Sequence, residues 1–152
     1  MIEIQNFNPD FKRIGKKFLV EVAGYVLAKE KAGKKTDISV VIADSKEIHR
    51  LNLLYRKKDK PTDVLSFGNI KDFSSIESFD LPEIIICPEE VRKNAEEYGV
   101  SFKNELVRVL IHGVLHLLGY DHEKNEKDAE KMFLKQDKYH SYFFKDKKVK
   151  VK

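Results

Sequence analysis

Three of the chain's five histidines fall in one eleven-residue run, His112-Gly113-Val114-Leu115-His116-Leu117-Leu118-Gly119-Tyr120-Asp121-His122. Imidazole offers a neutral nitrogen to a transition metal near neutral pH. On an α-helix, residues four apart lie about 40° apart in projection and ~6 Å apart along the axis. His112 and His116 can therefore present nitrogens to one ion. Gly119 lets the chain leave the helix at positive φ and turn back, which can bring His122 to a third corner. Three neutral imidazoles with a fourth position open suit a catalytic zinc, whereas a structural zinc usually takes four protein ligands. The single cysteine, Cys87, supplies no thiolate cluster. The donor set asks for Zn²⁺, and nickel, copper or cobalt would bind the same atoms. A histidine pair alone on an apolar helix is more often a packed core feature. The third histidine, directly after a helix-ending glycine, shifts the reading to metal.

Gly113 bears on the chemistry as much as the histidines do. The H-E-x-x-H-x-x-G-x-x-H signature of metzincin proteases has a glutamate where Gly113 stands, and those enzymes need that carboxylate to take a proton from water. Peptide hydrolysis is demoted unless a carboxylate arrives from elsewhere. Asp63 suits two roles equally, fixing an imidazole or capping the turn into the strand at Val64. Asp121 reads as a turn residue. Glu105 and Arg108 read as an i, i+3 pair facing outward. His49 and His140 read as ordinary surface or packing residues, and Cys87 as a small buried hydrophobe.

The patterning on either side supplies elements to hold these residues. Ile2 to Asn6 alternates as a short strand, broken at Asn8-Pro9-Asp10. Phe11, Ile14, Phe18, Val22 and Val26 predict an amphipathic helix from about Phe11 to Lys31, stopped by Gly33. Asp37 to Ala43 is β-branched and mostly apolar, a buried strand. Asp44 with Glu47 forms a capping box for a helix through about Tyr55. A charged loop, Arg56 to Asp63, leads to a strand over Val64 to Ile70. A polar excursion over Lys71 to Leu81 and a buried strand over Glu83 to Cys87 follow. Pro88 opens a helix ending near Tyr98 before Gly99, and Ser101 caps the histidine helix, which runs to Leu118. A last helix runs from about Glu123 into the aromatics Tyr139 to Phe144. The interleaving gives a small sheet with helices packed on it. The helix after the strand at 37–43 favours parallel pairing with the next strand.

A length of 152 residues, 41% hydrophobic and 36% charged, gives one domain with a single core. We divide it into a domain over residues 1–144 and a basic tail over 145–152. The uncharged stretch from Val109 to Tyr120 is shorter than the ~20 residues of a spanning helix, so no membrane is expected. The opening residues lack a secretory layout, and one cysteine fits a reducing cytoplasm. The formal net charge of +4 is matched by the tail alone, where five lysines face Asp146. An anionic partner must therefore be met by local clusters, Lys29 to Lys35 or Arg56 to Lys60.

Two runs, HGVLHLLGYDH over residues 112–122 and YRKKDKPTDVLSF over residues 55–67, resemble the YbeY family of bacterial endoribonucleases. The resemblance implies a compact α+β domain with a mixed, roughly four-stranded sheet, zincin-like, with the metal site at the end of a central helix. It implies that His112, His116 and His122 hold one Zn²⁺, and that Arg56 and His112 serve catalysis. The implied activity is metal-dependent cleavage of single-stranded RNA, not DNA, in 16S ribosomal RNA 3′-end maturation and ribosome quality control. The partners are then ribosomal RNA and the small ribosomal subunit, in the cytoplasm. Zinc would lower the pKa of a bound water towards ~7. Arg56 offers planar paired donors that match a phosphate, and Lys57, Lys58 and Lys60 would line the approach. Residue types leave open whether water or the ribose 2′-hydroxyl attacks. Two departures stand out: Pro82-Glu83 where the family commonly has Gly-Asp, and Gly68 where it often has proline. Two rival readings are a metalloprotease with a displaced base and a non-catalytic assembly factor stabilised by zinc.

Overall fold

β-Branched and apolar side chains build a four-stranded sheet in the computed structural model, which describes residues 1–32, 36–70 and 81–150, with side chains through residue 144. In chain order the elements are β1 (Ile2–Asn6), α1 (Lys16–Lys29), β2 (Ile38–Ile42), α2 (Ser45–Arg56), β3 (Val64–Phe67), β4 (Glu83–Ile86), α3 (Pro88–Tyr98), α4 (Phe102–Leu117) and α5 (Glu126–Lys150). Gly33, Lys34 and Lys35, most of the polar excursion and the tail side chains lie outside the described residues. The caps fall where expected. Asp44 accepts from the Glu47 N–H at 2.8 Å, and Ser101 Oγ from the Asn104 N–H at 3.0 Å. Gly99 ends α3 at φ 69°.

Helix α1 begins later than its apolar spacing suggested. Asn8 caps a separate 3₁₀ turn over Pro9–Phe11, and Phe11 stacks on Phe102 at 5.7 Å instead of joining the helix. Lys31, at φ 56°, reverses the chain before Gly33 is reached.

The sheet order is β1-β2-β4-β3, with β1, β2 and β4 parallel and β3 antiparallel to β4. The expected parallel pairing of β2 with the next strand is corrected: β2 pairs with β1 and β4, and β3 is an edge strand. The charged loop explains this. Lys57 turns at φ 59°, and the buried Asn52 amide donates to the Lys60 carbonyl at 2.9 Å, folding the loop back along α2. At Asp63 the chain has regained the end of the sheet where α2 began, for its carbonyl accepts from the Cys87 N–H at 2.9 Å. The next strand must then run the other way.

β3 stops at Phe67 because Gly68 takes φ 93°, a conformation closed to proline. A Cβ at Gly68 would lie 3.2 Å from Pro82 Cα. Residues 68 and 82, where the two departures noted above fall, therefore lie side by side.

Helix α4 crosses the core, packed on β3 and β4 and against α1, α3 and α5. Leu110, Ile111, Val114 and Leu115 are all fully buried. Burying such side chains contributes about 2 kcal/mol each before entropy is counted. Gly113 lies on the face against β4, where an added Cβ would stand 2.9 Å from Ile84 Cγ2. The helix sits this close because that position has no side chain. On the other sheet face α2 packs a smaller cluster, including Ile48, Leu65, Ile85 and the buried Cys87.

Candidate metal centre

The C-terminal turns of α4 carry His112 and His116, both half-buried. The helix ends on its own hydrogen bonds: the Gly119 N–H reaches His116 O at 3.0 Å and the Tyr120 N–H reaches Leu115 O at 3.1 Å. Gly119, at φ 103°, supplies the left-handed residue that this ending requires. Asp121 Oδ1 then accepts from the Glu123 N–H at 2.9 Å and tightens the turn. The result returns His122 towards the helix. Ring centroids lie 6.1 Å apart for His112 and His116, 4.9 Å for His112 and His122, and 6.0 Å for His116 and His122. Rings bound through nitrogens ~2.1 Å from one ion place their centroids about 5–6 Å apart. The three imidazoles converge.

Among the described residues, His116, Asp121 and His122 offer ligand atoms that all lie within 4.8 Å of one another. The carboxylate was not foreseen in this role, although its turn-forming bond was. His112 borders the group and is set differently. Its Nδ1 lies 2.8 Å from Oε1 of Gln136, which is 3% exposed on α5. An amide oxygen only accepts, so Nδ1 carries the proton and Nε2 keeps its lone pair. Burial, reinforced by the neighbouring His122, His116 and Arg108, outweighs the Gln136 bond and pushes the His112 pKa down to about 4. The ring is neutral at pH 7, as a ligand must be. His122 Nδ1 is buried with no hydrogen-bond partner among the described residues. A donor set of imidazoles and one carboxylate, with a buried ring nitrogen unsatisfied, fits a transition metal.

Arg56, at the end of α2, donates to Glu123 Oε1 at 3.0 Å, beside His122 in sequence. The fold thus brings both sequence blocks to one place, and the guanidinium remains 36% exposed in its side chain. Lys57, Lys58 and Lys60 are exposed on the loop beyond it. Asp63 takes the turn role: it accepts from Asn94 Nδ2 at 3.2 Å and from the Val64 backbone. Burial raises its pKa against the opposing pull of Arg108.

Glu105 and Arg108 do pair, at 2.9 and 2.5 Å, but not outward. Glu105 is 1% exposed, and Arg108 lies over the Tyr98 ring, so the pair is built into the contact of α3 with α4. His49 bonds Asp59 at 2.7 Å, and His140 packs on Phe144. Gln136 and Phe133 were not anticipated. The signal for the former was a polar residue in the buried α5 stripe of Met132, Gln136 and Tyr139.

Fold and centre together define a mixed α+β domain with a histidine–aspartate cluster at the end of its central helix. The family model described as endoribonuclease YbeY matches residues 2–143, and the chain belongs to the YbeY family. It is 42% identical over 127 residues to the endoribonuclease YbeY of Sulfurihydrogenibium sp., covering 84% of this chain and 82% of that protein. Its namesake from Petrotoga mobilis is 37% identical over 139 residues, covering 91% and 93%. The solution structure of TM1509 from Thermotoga maritima aligns with a TM-score of 0.62 at 32% identity, covering 99% of this chain and 94% of that one.

Proposed function

We propose that the chain is a metal-dependent endoribonuclease that hydrolyses single-stranded RNA, with His112, His116 and His122 holding one Zn²⁺ and Asp121 kept to its turn bond with the Glu123 N–H. Its setting is 16S ribosomal RNA 3′-end maturation and ribosome quality control, on the small ribosomal subunit in the cytoplasm. The observation that carries this reading is the approach of three imidazole rings, with Arg56 bonded to Glu123 next in sequence to His122, in a family whose relatives bear the endoribonuclease name. A bound divalent cation supplies Lewis acidity towards a phosphate oxygen and towards water. The chain's own residues do the rest. Gln136 keeps His112 in the tautomer that presents Nε2. Arg56 exchanges its exposed Glu123 partner for a phosphate, whose two oxygens match the guanidinium fork, and steadies the charge that grows in the transition state. The lysine loop draws the RNA backbone in. The protease reading loses ground at Gly113, which faces Ile84 with no room for a glutamate.

The test is cleavage of a single-stranded RNA by wild type, His112→Ala and Arg56→Glu, purified in parallel, with metal content measured alongside. Wild type should cut and hold close to one equivalent of zinc. Both variants should lose cutting by at least about a hundredfold, as removal of charge-stabilising groups commonly does. Equal cutting by all three would overturn the assignment.

A further inference from the structure

We infer that Phe133 is the nucleobase platform of this site, stacking one unpaired base of the RNA next to the phosphate engaged at the histidines. The inference rests on the endoribonuclease reading and names the part of the substrate that the cluster leaves unrecognised. Phe133 lies on α5 and is 41% exposed, although its neighbours on the same helix, Met132 and Gln136, are 0% and 3% exposed. Its ring centroid is 6.4 Å from that of His112, with planes 25° apart, and 5.8 Å from that of His122. One turn further along α5, Gln136 fixes the same His112 ring. Phe133 is thus held against two imidazoles of the candidate centre while part of the ring meets solvent.

A nucleotide joins an anionic phosphate to a flat apolar face across one sugar. The site offers the complement, a cation locus and a flat apolar ring side by side. Base stacking on an exposed aromatic is tolerant of sequence, and a base inside a duplex has both faces covered by its neighbours. The platform therefore selects for single strands without reading their sequence. The aromatics at the end of α5 pack away from His112, His116 and His122: Tyr139 is 2% exposed, Phe143 packs edge-on against Tyr25 at 5.4 Å, Tyr142, though 56% exposed, stacks on Tyr25 at 4.1 Å, and Phe144 stacks on His140 at 5.0 Å.

The chain has no tryptophan, so Phe133→Trp places a unique fluorophore at the platform. That variant is titrated with a 2′-O-methyl oligoadenylate of about ten nucleotides, a single strand that offers the same bases for stacking and no 2′-hydroxyl nucleophile, and the strand is checked for intactness after the titration. Cleavage kinetics on the matching RNA, intact or abasic beside the cut, are measured for wild type, Phe133→Ala and Phe133→Leu. Quenching of the tryptophan is expected, as is a roughly tenfold rise in KM for Ala and Leu with kcat and zinc content kept. The abasic substrate should penalise wild type and leave Phe133→Ala unchanged. Leucine keeps an apolar contact with the imidazoles, so a loss shared by both variants at wild-type Tm reports the missing flat face and not misfolding. Cutting with unquenched tryptophan, or wild-type KM in both variants, overturns the platform. Quenching without any cutting leaves the platform standing and sinks the endoribonuclease reading.

Discussion

At His112 the fold uses a neutral amide, Gln136, to orient an imidazole, where many metal sites use a carboxylate. The amide accepts the Nδ1 proton without adding charge, and its burial at 3% exposure leaves no water to replace it freely. Gln136→Leu should therefore lower zinc affinity by about 10- to 100-fold, the usual effect of losing such a partner. Competition against a chromophoric chelator would measure it, with Gln136→Glu restoring most of the affinity. Unchanged affinity in the leucine variant would show that packing alone orients the ring. The approach of the three rings was legible because helical geometry and one glycine bring them near one another. Gln136 was not, since its role depends on how α5 docks on α4, a contact that residue periodicity does not encode. Gly113 was legible as the absence of a carboxylate but not as a close approach to Ile84, which only the packed sheet reveals.

Between elements, the C-terminal end of α1 is clamped to the segment after α4 and to α5 through one carboxylate. Glu30, with a side chain 10% exposed, accepts from the Tyr120 hydroxyl at 2.7 Å, from the Tyr139 hydroxyl, and from Lys135 at 3.1 Å. Burial alone would raise the Glu30 pKa; the bonds from Tyr139, Tyr120 and Lys135 together prevail and lower it. Burial, with Glu30 adding to it, pushes the Tyr120 pKa up to about 12 and raises that of Tyr139, so both phenols stay donors. Because the folded-state pKa lies below the unfolded one, the clamp stabilises fully above the ordinary glutamate range and is lost as pH falls through the folded value. Glu30→Gln should cost about 2 kcal/mol at pH 7 and flatten the acid side of the stability curve as pH falls below the ordinary glutamate range. Urea titrations across that range would show it. An equal cost at pH 3 and pH 7 would remove the charge from the explanation. Element identities were readable from caps and apolar spacing, as Asp44, Ser101 and Gly119 show. The direction of β3 was not. It depends on a loop that doubles back along α2, held by Asn52, and a helix between strands predicts the opposite pairing.

For the molecule as a whole, the question is whether the histidines hold the fold together or the fold holds the histidines. The main core runs from Leu19 and Val26 on α1, through Ile84 and Ile86 on β4, to Leu110 and Leu115 on α4. That cluster does not depend on the imidazoles meeting a cation. Domains that unfold without zinc are those too small to bury such a core. Chelation should therefore abolish RNA cleavage while leaving the far-UV circular dichroism of a folded α+β protein. The Tm should fall only by the linkage term, about 2.7 kcal/mol of stability if free metal stood at a hundred times its Kd. For a chain of this size that amounts to several degrees. Added zinc should restore cleavage and Tm together. Collapse to an unfolded spectrum on chelation would show the opposite dependence. It would favour a zinc-stabilised assembly factor over an enzyme, because a metal needed for folding explains three converging imidazoles without any reaction at the centre.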